Sequence, residues 1–278
     1  MGTSGGRRIE MIGTPIAHVR TPDLLNGLFQ RDGEALRVVK KRLGPAALGD
    51  HLRVLRKDRG VIGLVVTTPL KTAICDHLDR RTALVALVGS ANCVRFDGGS
   101  WIGANFDGMG FESALAGAGV ALAGKHVRLA GCGGAGKAIA ARIVAAGAAS
   151  LAIEDGEPGK AADFLLRLRR VARGCALSAG ATANRDYQIL VNATTLGMQA
   201  GDPSPFRPEI VARGETVVDI VIGDSPSRLQ RDARKLGKLF VGGTAMVQGQ
   251  VELFRRFLTT AASSETAAAR ALQRSARP

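Results

Sequence analysis

A lysine and an aspartate stand in two polar segments that follow strand-like sequence. Lys71 closes VVTTPLK at 65–71, where Pro69 ends an apolar run, and Asp107 lies in GANFDGMG at 103–110. Ligands of α/β proteins bind beyond the carboxyl ends of strands. A lysine and an aspartate facing each other across a cleft can move a proton to or from an alcohol while a hydride leaves its carbon. We therefore predict Lys71 and Asp107 as a catalytic pair, although either one alone also fits an ordinary surface charge.

A glycine-rich turn in the middle of the chain predicts a phosphate-binding site. The segment VRLAGCGGAGKAIA at 127–140 combines strand-like residues, a turn with Gly131, Gly133 and Gly134, and a helix of small residues. Glycines allow backbone N–H groups and a helix N-terminus to approach a pyrophosphate closely. Gly136 supplies the third glycine of the dinucleotide pattern. A turn that binds nothing remains the alternative.

Two acidic residues follow the next predicted strand. Glu154 and Asp155 come about 20 residues after Gly131, the spacing at which a carboxylate accepts hydrogen bonds from the adenosine ribose. Carboxylates there would repel a 2′-phosphate, since like charges in a partly dry site cost several kcal/mol. We therefore predict NAD in preference to NADP, with a solvated acidic turn that caps the following helix as the alternative.

These segments need two sets of alternating strands and helices to position them. RIEMIG, PDLLNGLFQRDG, ALRVVKK, PAALGDHLRVLRKDRG and VIGLVV read as strand, helix, strand, helix and strand. The same alternation returns from HVRLAG onward, so we predict an α/β fold with a mainly parallel sheet in the N-terminal domain and a second α/β domain that binds the dinucleotide. A glycine-rich hinge is expected near SWIGANFDG, and the last 20 residues read as frayed helix or disorder.

The composition excludes several other classes of protein. Among 278 residues, 46% are hydrophobic and 22% charged, and we find neither a membrane span nor a secretory signal, which favours the cytoplasm. The four cysteines show no metal-binding spacing, so no metal is predicted. The net charge of +14 leaves a nucleic-acid binder open, but the arginines are scattered and only one Trp and one Tyr could stack on bases. We predict neither a nucleic acid nor a membrane as partner.

Eight segments, in this order, resemble the signature motifs of the shikimate dehydrogenase family. They are IGTPIAH-x-x-T-P, VVTTPLK, SANC, GANFDGMG, GCGGAGKA, VNATTLGM, VVDIV and GGTAMVQGQVELF. The resemblance runs from about residue 9 to residue 258 and implies a substrate domain, closed by the last helices, with a nicotinamide-binding Rossmann domain between its two parts. It also implies interconversion of a ring hydroxyl and a ketone.

The resemblance assigns roles to particular residues. It implies that Lys71 and Asp107 are catalytic. It implies substrate contacts from Thr21, Thr67, Asn92, Asn105 and Gln250, and Arg20, which stands within the altered first motif, is a further candidate for the substrate. For the cofactor it implies Gly131, Gly133, Gly134, Ala135, Asn192, Ala193, Thr194, Gly243 and Met246, to which the spacing adds Glu154 and Asp155.

Four positions depart from the family pattern on the side that holds the substrate carboxylate. Apolar side chains replace a Ser, an Asn, a Thr and a Tyr, at Val19, Val65, Phe106 and Ile222. An aliphatic group cannot replace a hydrogen bond to a buried anion, so we expect a less polar pocket. Arg20 could supply a charged fork instead, or could point to solvent. The family's N-R-T, which holds the 2′-phosphate of NADP, is also missing.

The sequence thus predicts an NAD-dependent alcohol dehydrogenase similar to shikimate and quinate dehydrogenases, which acts on a cyclic hydroxy acid or ketone and could form a homodimer. Two alternatives stay open: the same chemistry on a polyol-like ring without the carboxylate, and a non-catalytic NAD-binding regulator. The predicted domains are 1–105 with 246–278 for the substrate, and 106–245 for the dinucleotide.

Overall fold

The chain forms two compact units. The computed structural model describes residues 7–17, 19–181, 185–223 and 225–260. The boundaries between the units fall between Phe106 and Asp107 and between Gly249 and Gln250. The first unit is therefore discontinuous in sequence, and the second is a single insertion within it. The last residues of the chain, for which frayed helix or disorder was predicted, lie outside the described residues.

A six-stranded sheet forms the centre of the first unit. Its elements are β1 (Arg8–Gly13), α1 (Thr21–Arg31), β2 (Arg37–Arg42), α2 (Pro45–Leu55), β3 (Val61–Val66), α3 (Leu70–Ala73), a 3-10 turn (Ile74–His77), β4 (Arg80–Arg81), α4 (Ala83–Val88), β5 (Cys93–Asp97) and β6 (Ser100–Ala104). The strand order is β2-β1-β3-β5-β6-β4, in which only the pairs that involve β5 are antiparallel.

The apolar pattern of the sequence explains this core. All six residues of β3, VIGLVV, are buried, as expected of a central strand covered on both faces. In α2, Leu48, Leu52 and Leu55 are buried at helical spacing, and they join β3 in one hydrophobic cluster. The neighbouring α1 buries Leu25 and Phe29, four residues apart, in the same way.

The segment expected to be a hinge contains the second strand of a β-hairpin and, between Phe106 and Asp107, the boundary between the two units. Strands β5 and β6 pair antiparallel from Cys93 opposite Ala104 to Asp97 opposite Ser100. Gly98 and Gly99 form the turn with φ values of +54° and +86°, which favour glycine at both positions of a tight hairpin. Gly98 and Gly99 therefore reverse the chain within one sheet, and β6 ends at Ala104, just before that boundary.

The second unit is a doubly wound parallel sheet. Its elements are α5 (Asp107–Gly117), β7 (His126–Ala130), α6 (Gly134–Ala145), β8 (Ser150–Glu154), α7 (Lys160–Leu168), β9 (Ala176–Ala179), β10 (Ile189–Asn192), α8 (Pro208–Arg213), β11 (Thr216–Asp219), α9 (Arg228–Lys235), β12 (Leu239–Gly242) and the first part of α10 (Gly243–Thr259). The strand order is β12-β11-β10-β7-β8-β9, which is the Rossmann arrangement. The predicted fold class is confirmed. None of the helices among the described residues is long and apolar enough to cross a membrane.

A buried arginine holds the end of α10 in the first unit. The Arg95 guanidinium on β5 donates to the carbonyl oxygens of Phe257 and Thr260, both at 3.1 Å, and to the Asp97 carboxylate at 3.3 Å. It also lies 5.0 Å from the centre of the Phe257 ring. A cation at a helix C-terminus satisfies terminal carbonyls and opposes the negative end of the helix dipole.

We expect Arg95→Met to lower the free energy of unfolding by about 2 kcal/mol, because it removes charge-assisted hydrogen bonds from buried carbonyls. Urea unfolding measures this change, and proteolysis near α10 should become faster. The control is Arg53→Met, which breaks an ion pair with Asp50 that is exposed on both sides and should cost less than about 1 kcal/mol. Equal effects of the two substitutions would contradict the role assigned to Arg95.

Candidate active site

The predicted catalytic lysine directly follows a buried strand of the first unit. After β3, Thr67 donates its backbone N–H to the Ile12 carbonyl at 2.9 Å, and its carbonyl accepts from the Leu70 N–H at 3.0 Å. Lys71 lies in the short helix α3, and its carbonyl accepts from the Ala91 N–H at 2.8 Å. Backbone hydrogen bonds therefore fix this segment at Thr67 and at Lys71 itself.

Three buried amide side chains belong to the same unit. Asn92 is 1% exposed, and its Oδ1 accepts from the Phe106 N–H at 2.9 Å, while its Nδ2 lies 3.5 Å from the Gln250 Oε1. Asn105 donates from Nδ2 to the Ser90 carbonyl and to the Ser90 Oγ, both at 3.1 Å. Buried amides with fixed partners are rigid, so they can present polar groups to substrate hydroxyls with little loss of side-chain freedom.

The aspartate of the predicted pair opens the second unit. Asp107 is the first residue of α5 and is 2% exposed. The next residue, Gly108, packs so closely on α6 that a Cβ there would lie 2.5 Å from the Ala138 carbonyl oxygen and 2.8 Å from the Arg142 Cβ. An ion pair between Arg142 and Glu112 at 2.5 Å joins the same two helices. The start of α5, and with it Asp107, is thus fixed against α6.

The structure accounts for two of the apolar departures. Val65 is buried in β3 opposite Cys93 of β5, so its side chain belongs to the sheet core. Phe106 makes edge-on contacts with the rings of Phe254 and Phe257, each at 5.7 Å between centroids. The Phe106 ring thus packs against α10, at a position where the family pattern has a polar side chain.

The residues predicted to bind the substrate carboxylate at the start of α1 differ in their exposure to solvent. Arg20 is the N-cap residue of α1 and is exposed, whereas Thr21, the first helical residue, is buried. Val19 is half-buried. His18, part of the motif that carries the resemblance, lies outside the described residues.

The glycine-rich turn has the shape that a pyrophosphate site needs. Gly131 has φ +102°, and a Cβ there would lie 2.6 Å from the Ala193 carbonyl group; a Cβ on Gly136 would lie 2.0 Å from the Gly131 carbonyl oxygen. A Cβ on Gly133 would meet nothing within 4 Å. The turn therefore leaves open space at Gly133, next to the first residues of α6, Gly134 and Ala135, where N–H groups and the helix dipole favour an anion.

Two acidic residues, at the end of β8 and directly after it, are already engaged by the protein. Glu154 forms a double ion pair with Arg128, with both hydrogen bonds at 3.0 Å, and accepts from the Ala181 N–H at 3.0 Å. Asp155 accepts from the Cys132 N–H at 2.7 Å and lies 3.6 Å from the Lys160 ammonium.

The environment of Asp155 keeps it ionised. Burial acts to raise its pKa, but the N–H groups of Glu157 and Cys132 and the Lys160 ammonium outweigh burial, so the pKa lies below its ordinary value. Burial raises the pKa of the neighbouring Cys132 thiol to about 11, which keeps that thiol protonated near neutral pH.

The loops after β10 and β11 are joined by a buried carboxylate that the sequence did not indicate. Asp219, the last residue of β11, accepts from the Asn192 Nδ2 at 2.9 Å, the Ser227 Oγ at 2.6 Å and the Val221 N–H at 3.1 Å. Asn192 Oδ1 in turn accepts from the Thr194 N–H at 3.0 Å. Burial raises the pKa of Asp219 in spite of these bonds. Its position at the carboxyl end of a central strand was the available signal.

Gly243 and Met246 lie at the same edge, where β12 passes into α10. A Cβ on Gly243 would lie 2.4 Å from the Ile220 carbonyl oxygen and 2.9 Å from the Ile222 Cγ1. Gly243 and Ile222 line a cleft of about 260 Å³ that also contains Asp219, while Met246 is buried in the first turns of α10. The predicted nicotinamide contacts of α10 thus lie beside the loop that Asp219 fixes.

The second unit has a glycine-rich turn at the topological switch point of its parallel sheet, and the first unit carries fixed amides and a lysine. This combination is typical of two-domain nicotinamide-dependent oxidoreductases. The chain belongs to one family of that class, the shikimate dehydrogenase family. Residues 11–94 match the model of the shikimate dehydrogenase substrate binding domain. Over 244 residues the chain is 36% identical to the shikimate dehydrogenase (NADP(+)) of Rubrobacter xylanophilus, with 86% of each protein covered. The predicted family and its alcohol-type oxidoreductase class are confirmed.

Two solved structures extend the comparison. The shikimate 5-dehydrogenase of Thermus thermophilus, solved in complex with NADP(H) and shikimate, is 27% identical with a TM-score of 0.81, covering 91% of this chain and 93% of that one. The ligand-free 5-ketofructose reductase of a Gluconobacter strain is 25% identical with a TM-score of 0.78 and the same coverage.

The predicted preference for NAD over NADP is wrong. The Rubrobacter relative and further curated relatives are named for NADP(+). From their spacing alone, Glu154 and Asp155 were expected to present uncompensated negative charge to a 2′-phosphate. The structure instead pairs Glu154 with Arg128 and Asp155 with Lys160, so the assumed repulsion is largely offset.

We expect substitutions at two glycines of the turn to have different effects, one on stability and the other on cofactor binding. Gly136→Ala forces a Cβ against the Gly131 carbonyl and should cost about 1 to 3 kcal/mol of stability. Gly133→Ala meets no protein atom, so its unfolding should match the wild type while its affinity for NADP falls about 10-fold or more. Calorimetric unfolding and cofactor titration measure both effects. Unchanged NADP binding by Gly133→Ala would place the pyrophosphate elsewhere.

Proposed function

We propose that the protein is an NADP-dependent oxidoreductase that interconverts shikimate, or a related cyclic hydroxy acid such as quinate, with the corresponding ketone. The observation that carries this proposal is the set of rigid, buried amides in the unit that also holds Lys71, in a chain 36% identical to an enzyme named for shikimate and NADP(+). Several fixed hydrogen-bonding groups suit a ring with several hydroxyls. Quinate rests on the family resemblance alone.

The proposed roles follow from the chemistry of each group. Asn92, Asn105 and Gln250, with Thr67, hold ring hydroxyls. Lys71 and Asp107 act on the reacting hydroxyl: they orient its oxygen and take its proton as the C–O bond becomes a carbonyl, and they return the proton in the opposite direction. NADP, when bound, accepts the hydride from the carbon of that hydroxyl. A base that removes the proton while hydride leaves keeps charge from accumulating on the oxygen.

Residues of the second unit would hold the cofactor. Gly131, Gly133, Gly134 and Ala135 would seat the pyrophosphate at the start of α6, where N–H groups point outward. Glu154 and Asp155 lie where the adenosine ribose is expected, and the remaining proposed contacts line the nicotinamide side: Asn192, Ala193, Thr194, Gly243 and Met246. The open space at Gly133 and the close packing at Gly131 support this assignment.

We expect Lys71→Ala and Asp107→Ala each to lower kcat for shikimate oxidation by about 100-fold or more, since proton transfer and alcohol orientation are lost together. NADP affinity should stay close to that of the wild type. The matched control is Lys57→Ala, which removes an exposed lysine of the same unit. Steady-state kinetics with NADP and shikimate provide the measurement. Turnover at the wild-type rate in either variant would remove that residue from the mechanism.

A second candidate substrate is a polyol-like ring or chain without a carboxylate. It is favoured by the buried apolar residues at Val65 and Phe106 and by the exposure of Arg20, which together weaken the predicted carboxylate anchor. A solved structural neighbour named as a 5-ketofructose reductase is consistent with such a substrate.

Paired substrates distinguish the two candidates. If shikimate is the substrate, kcat/KM should exceed that for its decarboxylated analogue at least 10-fold, because a charged hydrogen-bond acceptor contributes about 1.5 to 3 kcal/mol. Arg20→Ala should raise the KM for shikimate only if Arg20 serves as the anchor, and Arg53→Ala is the exposed control. Equal kcat/KM for the two compounds would favour the substrate without a carboxylate.

A further inference from the structure

A cleft of about 420 Å³ opens on the second unit with four arginines in its wall. We call it the arginine cleft. It is lined by Arg128, Ala181, Arg185, Asp186, Tyr187, Leu190, Pro205, Phe206, Arg207, Ile210 and Arg213. None of these residues has a role in the catalytic or pyrophosphate sites proposed above.

The cleft lies beside the connection between β9 and β10, which contributes Ala181, Arg185, Asp186 and Tyr187 to its wall. No helix is formed by the described residues between Ala179 and Ile189, whereas helices follow β7, β8, β10 and β11. Arg128 of β7 stands in register with Ala152 of β8 and Leu190 of β10, so these side chains share one face of the sheet. The cleft lies on that face, because Arg128 and Leu190 both line it.

The charges in the cleft do not cancel. Glu154 engages Arg128, and Asp186 engages Arg213 through a hydrogen bond of 2.6 Å. For Arg185 and Arg207, no acidic partner lies within ion-pair distance in the part of the chain that the structure describes. Two positive charges therefore exceed the negative ones, which matches the charge of about −2 on a phosphomonoester.

The rest of the wall strengthens attraction for an anion. Phe206, Tyr187 and Leu190 are buried and belong to one hydrophobic cluster. The Arg128 guanidinium lies 5.5 Å from the centre of the Phe206 ring. Ionic attraction grows where the surroundings are less polar than water, and the planar arginine fork matches the oxygens of a phosphate.

We propose that the arginine cleft binds a phosphomonoester group. The cleft begins beside Glu154, at the position expected for the adenosine ribose, since Glu154 contacts both Arg128 and Ala181 of its wall. One source of the group is therefore the 2′-phosphate of NADP, which this chain would hold without the N-R-T motif of its family. The other source is a free phosphate ester. Only the first source rests on the proposed function.

Isothermal titration calorimetry of the full chain with 2′,5′-ADP, 5′-AMP and inorganic phosphate tests the proposal. The variants are Arg185→Ala and Arg207→Ala, with Arg185→Lys to retain the charge without the fork. Arg170→Ala removes an exposed arginine of the same unit outside the cleft and serves as the control. Far-ultraviolet circular dichroism shows that each variant remains folded.

For the cofactor source we expect 2′,5′-ADP to bind at least 10-fold more tightly than 5′-AMP, and Arg185→Ala to remove most of that difference, with partial recovery in Arg185→Lys. For a free ester, inorganic phosphate should bind in an Arg185-dependent manner while the ratio of 2′,5′-ADP to 5′-AMP affinity stays near one.

Two results would overturn the proposal. In the first, 2′,5′-ADP binds tightly but equally to wild type, Arg185→Ala and Arg207→Ala. In the second, 2′,5′-ADP binds no more tightly than 5′-AMP, and inorganic phosphate shows no binding that depends on Arg185. Turnover of shikimate with NADP, measured separately, shows whether the proposed function holds in each case.

Discussion

The close approach of the loops after β7 and β10 is the constraint on which the cofactor half of the molecule depends. At Gly131 the chain passes so near Ala193 that no side chain fits, and the Ala193 N–H bonds to the Ala130 carbonyl at 2.7 Å. Two neighbouring parallel strands thus end side by side, and the glycine-rich turn after β7 takes its shape from the loop after β10. Asp219 fixes the second loop in turn, through its hydrogen bond to Asn192.

Sequence reasoning predicted the features that depend on local pattern. Alternating apolar and amphipathic runs predicted β1 to β3 and the helices between them. Burial imposes a pattern of apolar residues on each strand and helix, and this pattern is visible in the sequence. The spacing of Gly131, Gly133 and Gly136 also predicted the turn from local sequence. Gly131 and Gly136 must be glycine because a side chain at either position would clash with the backbone. The resemblance to the family motifs further predicted that the dinucleotide unit lies in sequence between two parts of the substrate unit.

Features that depend on distant partners could not be read in this way. Glu154 and Asp155 were assigned to the ribose from their spacing, but nothing local shows that Arg128 and Lys160 neutralise them. The β-hairpin at Gly98 and Gly99 was not predicted beside the expected hinge, because a glycine pair has no signature that distinguishes a tight reversal from a flexible joint. Phe106 looked like the loss of a polar contact, and only the aromatic rings of α10 around it give it a role in packing.

The division of α10 has a consequence for biosynthesis. The core of the first unit includes Phe254 and the carbonyls that Arg95 binds, all of which emerge from the ribosome after the entire second unit. During translation the inserted parallel sheet can complete its packing first, whereas the N-terminal sheet must wait with one flank uncovered. The part of the chain made first is therefore finished last, and its exposed apolar flank is the segment that a nascent-chain chaperone would shield.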